Sequence, residues 1–148
     1  LMKAEEMADL PDDVRAELVD GVLVMMTPAK PDHGSVAGRI LRALGNWAEE
    51  HDAGEVFDSS TGFILARDPD VMRAPDVAFV SAARLPPEFV GFLELGPDLA
   101  VEVLSPSNTM AEMVRRAADY FRAGTRLVWL VDGQRRRVAA WGAGDAPG

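Results

Sequence analysis

At 148 residues, 48% apolar and 26% charged, the chain has the composition of a folded domain able to bury its own core, which excludes general disorder. The absence of cysteine excludes disulfides, thiolate zinc sites and a cysteine nucleophile. Fifteen basic against twenty-four acidic residues give a net charge of −9, which counts against sequence-blind attraction to nucleic acid.

In chain order, residues 3–10 predict a short amphipathic helix halted by Pro11. Residues 17–26 read as two strands about the Asp20-Gly21 pair, a strong hairpin signal, with Met25 and Met26 expected in the core. Pro28 and Pro31 then break the chain. From Asp32, taken as N-cap, a helix is predicted to about Asp52, with Val36, Ile40, Leu44 and Trp47 on one stripe. His33 is read as a capping or surface histidine, or as part of a helix N-terminus that holds phosphate. His51 suits the dipole at the other end.

Residues 55–57 and 62–66 form a second pair of strands, and Asp68-Pro69-Asp70 a turn. Pro75 leads into the strand that carries Asp76, and residues 84–96 are loop. Residues 99–104 are apolar on both faces except at Glu102, the pattern of a central strand. Ser105-Pro106-Ser107 breaks it; both serines are read as capping the next helix or lining the site. Thr109-Met110-Ala111-Glu112 is a capping box for a helix that ends before Gly124. Residues 127–131 form a buried strand, Asp132-Gly133 a turn and residues 138–141 the last strand. Helices enclosed between strand groups imply one domain over residues 1–148, an α/β sandwich around a mixed sheet. Leu1 at one end and a Gly/Ala/Pro tail at the other are not taken as natural boundaries.

Asp76 and Glu102 carry the functional reading. A carboxylate inside an apolar strand must be paired, protonated or bound to metal, because burying it alone costs several kcal/mol or more. Two such acids on separate strands can converge on one divalent cation. Mg²⁺ suits them, since it keeps several waters and needs only one or two protein carboxylates. The alternative is that Asp76 caps a turn after Pro75 and Glu102 makes a structural ion pair.

These residues resemble the Uma-type restriction endonucleases, a bacterial family with the PD-(D/E)XK nuclease fold. The likeness runs from about Glu17 to Trp141. It rests on Glu17-Leu18-Val19-Asp20-Gly21 with Pro28, on His33, and on Arg73-Ala74-Pro75-Asp76-Val77. Further along it includes Pro97-Asp98, the run Leu99 to Ser107 with its Glu-Val-Leu-Ser-Pro-Ser core, Tyr120, Gly124 and Trp129-Leu130-Val131-Asp132. The resemblance implies a restriction-endonuclease-like mixed β-sheet flanked by helices, with Asp76 and Glu102 as ligands of Mg²⁺ or Mn²⁺. It also implies that Glu17 reaches the same ion directly or through water; a surface acid is the other reading of Glu17, and Asp20 is a turn residue. The lysine expected two residues after the second acid is Leu104 here. In this family it stands on the next helix, four residues before the tyrosine, which is Arg116 in this chain. Arginine can hold a phosphate but will not act as a base. An intrahelical pair with Glu112 is the structural alternative.

The implied activity is hydrolysis of DNA phosphodiester bonds by Asp76, Glu102, Arg116 and Glu17. Arg115, Arg116, Arg122 and Arg126, with Arg135-Arg136-Arg137, either rim that site or form a solvated face. Tyr120 contacts substrate or packs. Trp129 and Trp141 serve a homodimer interface or the core. No apolar run reaches the roughly 18–20 residues that cross a bilayer, and no signal peptide is seen, so a cytoplasmic protein without a membrane partner is expected. Two rivals stand beside this reading: a catalytically degenerate nuclease fold, and an acidic protein-interaction module that never meets nucleic acid.

Overall fold

Alternating apolar residues and tight turns divide the strands between two sheets, which the computed structural model describes over residues 1–146. In chain order the elements are α1 (Ala4–Met7), β1 (Ala16–Val19), β2 (Val22–Met25), α2 (Pro31–Glu50), β3 (Gly54–Phe57) and β4 (Phe63–Ala66). Then come β5 (Val71–Arg73), β6 (Val77–Ser81), β7 (Leu99–Val103), α3 (Met110–Arg122), β8 (Leu127–Asp132) and β9 (Arg137–Gly142). The smaller sheet has the order β2-β1-β5-β4 and the larger β3-β6-β7-β8-β9. The expected α/β class holds. No helix among the described residues is long and apolar enough to cross a membrane.

The larger sheet is mixed, because β7 and β8 run parallel while the other neighbours run antiparallel. A parallel pair needs a crossover, and α3 supplies it. Strand alternation then assigns the faces. Ala78, Val80, Ala100, Val128, Leu130 and Trp141 pack with Met113, Ala117 and Tyr120 of α3. Val77, Leu99, Val101, Val103 and Val131 meet Val36, Ala37, Ile40, Leu41 and Leu44 of α2. As its composition predicts, β7 is buried throughout and central in the sheet.

Several expectations are corrected. Residues 55–57 and 62–66 do not pair with each other: β3 joins β6, and β4 joins β5, a strand the sequence pattern did not reveal. The α2 helix starts at Pro31 with Lys30 as N-cap, because the fixed φ of proline suits the first helical position; Asp32 lies inside the first turn. Met25 is exposed at the end of the edge strand β2, although it shares the face of Leu23, which alone in that strand packs against the core. Trp141 belongs to the core, and Trp129, partly buried, packs toward α2. His51 behaves as expected, with Nδ1 2.8 Å from the Trp47 carbonyl at the end of α2.

The Asp20-Gly21 turn forms as predicted. Both residues have positive φ (51° and 77°), the pairing whose twist matches a tight hairpin. At the start of α3, Thr109 Oγ1 accepts from the Glu112 N–H at 3.2 Å. Thr109→Ala is expected to cost about 1 kcal/mol, read as a lower urea midpoint at unchanged slope.

Candidate active site

Antiparallel pairing of β6 with β7 sets Val77 opposite Val101. Continuing that register by one residue brings Asp76, immediately before β6, beside Glu102, near the C-terminal end of β7. The Val103 N–H donates to Asp76 Oδ2 at 2.7 Å, and His33 Nε2 lies 3.3 Å from the same oxygen. Glu102 Oε1 accepts from the Tyr120 hydroxyl at 2.7 Å and from Arg116 at 3.0 Å. These bonds use one oxygen of each carboxylate and leave the other for a further partner.

Burial pushes the Glu102 carboxyl up to about 7, against the pull of the Arg116 charge and with the repulsion of Asp76 added. Asp76 is raised as well, chiefly by burial. Two adjacent desolvated carboxylates that resist ionisation form a set a divalent cation would relieve. Among the described residues no three His, Cys, Asp or Glu side chains are gathered to hold a metal. A cation held there by two carboxylates alone would have to complete its coordination with water, as Mg²⁺ can.

Glu17 is neither a surface acid nor an open ligand. It sits buried on β1, and both its oxygens are engaged. Arg116 grips it with two nitrogens at 2.6 and 2.8 Å, while the Ala74 N–H and Arg73 donate at 2.8 and 3.2 Å. Burial alone would raise Glu17; the hydrogen bonds and charge of Arg116, then Arg73 and Ala74, hold it below the usual range. To reach a cation directly it would have to give up part of that set.

Arg116 thus spans from Glu17 to Glu102, and the alternative of an intrahelical pair with Glu112 gives way to these longer-range partners. Its Nε is buried with no hydrogen-bond partner among the described residues. Tyr120 both packs and hydrogen-bonds to the site. Ser105 closes the loop after β7, with its N–H and Oγ on Asn108 Oδ1, and the capping role falls to Thr109. The arginine cluster divides: Arg116 is in the site, Arg115 bonds Asp20 and Asp119, and Arg122 and Arg126 are exposed.

Two residues of this network carried no role in the sequence reading. Arg73 Nε donates to Asp119 at 2.8 Å, and both are buried. Arg73 had the same signal as Glu102, a charge inside an apolar run (Val71-Met72, then Ala74-Pro75). Asp119 could have been found beside Tyr120 on the edge of the Met113, Ala117, Tyr120 stripe.

The family model described as Uma2, putative restriction endonuclease, matches residues 4–146. Among solved structures, a putative nuclease belonging to DUF820 from Anabaena variabilis ATCC 29413 aligns with a TM-score of 0.81 at 18% identity. The alignment covers 96% of this chain and 80% of that one. At such identity the likeness shows the fold alone. No curated protein sequence matches the chain.

Proposed function

We propose, from the premise that this chain belongs to the Uma2 restriction-endonuclease family, that it is a metal-dependent endonuclease hydrolysing DNA phosphodiester bonds in the cytoplasm. The observation that carries the reading is that Asp76, the residue before β6, is held by the Val103 N–H at the end of β7 that bears Glu102, with burial raising both carboxyls. Together they would hold Mg²⁺ or Mn²⁺. Such an ion, when bound, polarises a phosphodiester oxygen and lowers the pKa of a coordinated water.

The chain's own residues prepare that site. Val103 orients Asp76, and Tyr120 orients Glu102. Glu17, itself anchored on Arg73 and Ala74, aims the guanidinium of Arg116 at the acid pair. Arg116 can then contact the scissile phosphate and offset its developing charge, without acting as a base. Cutting both strands of a duplex needs two such sites, which a homodimer would supply.

Nicking of supercoiled plasmid tests this. The parent protein is expected to nick with Mg²⁺ or Mn²⁺, and Asp76→Ala and Glu102→Ala are each expected to lose it. Calorimetric metal binding that needs both acids, with no nicking by the parent, would favour a catalytically silent relative. The grip of Arg116 on Glu17 and Glu102 supports that second reading. Arg116→Lys should then restore cleavage. Neither metal binding nor nicking would sink both readings.

A further inference from the structure

Because β7 and β8 are parallel, their C-terminal ends share one edge of the sheet, with Glu102 opposite Leu130 and Val103 opposite Val131. Asp76 immediately precedes β6 at that same edge, where its Oδ2 accepts from the Val103 N–H. From β8 the chain turns at Gly133 and returns as β9 from Arg137, which pairs with Asp132. A methyl group at Gly133 would lie 3.0 Å from Val36, so this turn packs against the first turns of α2. Lys30 caps that helix, and His33 there reaches Asp76. Lys30, one helical turn before His33, and the Arg135-Arg136-Arg137 turn therefore lie at the same edge of the sheet as the acid pair. Two strand spacings, about 10 Å, separate β9 from the strand of Glu102.

The charge on this edge is open. Arg136 and Arg137 are exposed, and among the described residues neither makes an ion pair; Arg135 only approaches Asp132, at 3.9 Å. Arg136 also adopts a left-handed φ of 53°, a conformation in which glycine or asparagine is the less strained residue. In a chain of net charge −9, unneutralised arginines beside the two acids make a local field of opposite sign.

We propose that the turn Arg135 to Arg137, with Lys30, is the surface that grips the polynucleotide backbone beside the cleavage site. The proposal rests on the nuclease reading for the identity of its partner. Each arginine contributes a phosphate contact that positions the strand without reading its sequence.

The test is fluorescence anisotropy of a labelled DNA duplex with the full chain in EDTA, titrated across salt. Arg136→Gln/Arg137→Gln is expected to weaken binding at ~0.1 M salt by about tenfold or more. The slope of log K against log salt should become shallower by about 2. A charge-matched control, Arg122→Gln/Arg126→Gln, removes exposed arginines from α3 and from the start of β8, where Arg126 donates to Asp98 at the opposite edge. It should bind as the parent does. Equal losses in the two variants, an unchanged Arg136→Gln/Arg137→Gln protein, or a parent that retains no DNA at any salt would each overturn the proposal. Plasmid nicking by the parent, run in parallel, keeps the two readings apart. Nicking alongside unchanged affinity in the turn variant sinks the grip and spares the nuclease. A selective loss of affinity with no nicking by the parent does the reverse.

Discussion

Arg73→Ala is expected to lower the stability of the fold by about 3–5 kcal/mol, the usual cost of removing one partner from a buried ion pair. Arg73 lies between Glu17 and Asp119, at 3.2 and 2.8 Å, and all three side chains are almost fully shielded from water. Without the guanidinium, Asp119 keeps only the half-exposed Arg115 at 3.4 Å and the largely exposed Arg122 at 3.6 Å. Glu17 keeps Arg116 and the Ala74 N–H, so most of the loss falls on Asp119. At 2–4 °C per kcal/mol, the melting temperature should fall by roughly 10 °C. Replacing both partners, as Arg73→Met/Asp119→Leu, should recover much of this, because no uncompensated charge stays buried. A loss below about 1 kcal/mol in the single variant would mean that the network is hydrated and plays little part in stability.

The second large effect is on pH dependence. Glu102 ionises near 4.5 in an unfolded chain and at about 7 in the folded protein. Between these values the folded state holds a proton that the unfolded state has released. The contribution of Glu102 is therefore fully present below pH 4.5 and is lost as pH rises through 7. That difference corresponds to about 3 kcal/mol. Glu102→Gln has no such group, so its unfolding free energy minus that of the parent should increase by about 3 kcal/mol from pH 4.5 to 8. Carboxyls held low, such as Glu17 and Asp98, change stability with the opposite sign at lower pH. To first order they cancel in the comparison. Saturating Mn²⁺ should flatten the parent's profile, because a metal-bound Glu102 stays ionised. Parallel profiles for the two proteins without metal would show that Glu102 titrates near its ordinary value.

Much of the fold was legible along the chain because short-range rules govern it. The hairpin at Asp20-Gly21, the helix after Thr109 and the buried strand at residues 99–103 follow from turn chemistry, capping and apolar runs within a few residues. The same rules drew attention to Asp76 and Glu102, because an acid in an apolar strand needs a reason. The order of strands was less legible. Residues 55–57 and 62–66 look alike locally, yet they join different sheets, since pairing depends on partners far along the chain.

Sequence alone determined most element types though not β5, singled out the two acids and carried the likeness to a nuclease family, through which Arg116 stands where a lysine is expected. Tertiary structure decided what those residues touch. Arg116 could reach Glu112 one helical turn away, but it meets Glu17 across 99 positions, and Arg73 meets Asp119 across 46. Helical spacing reports only neighbours on one surface. These longer pairings exist because β1, β5, β7 and α3 bring polar side chains into one buried space. There each charge must find a partner or bear the cost of leaving water.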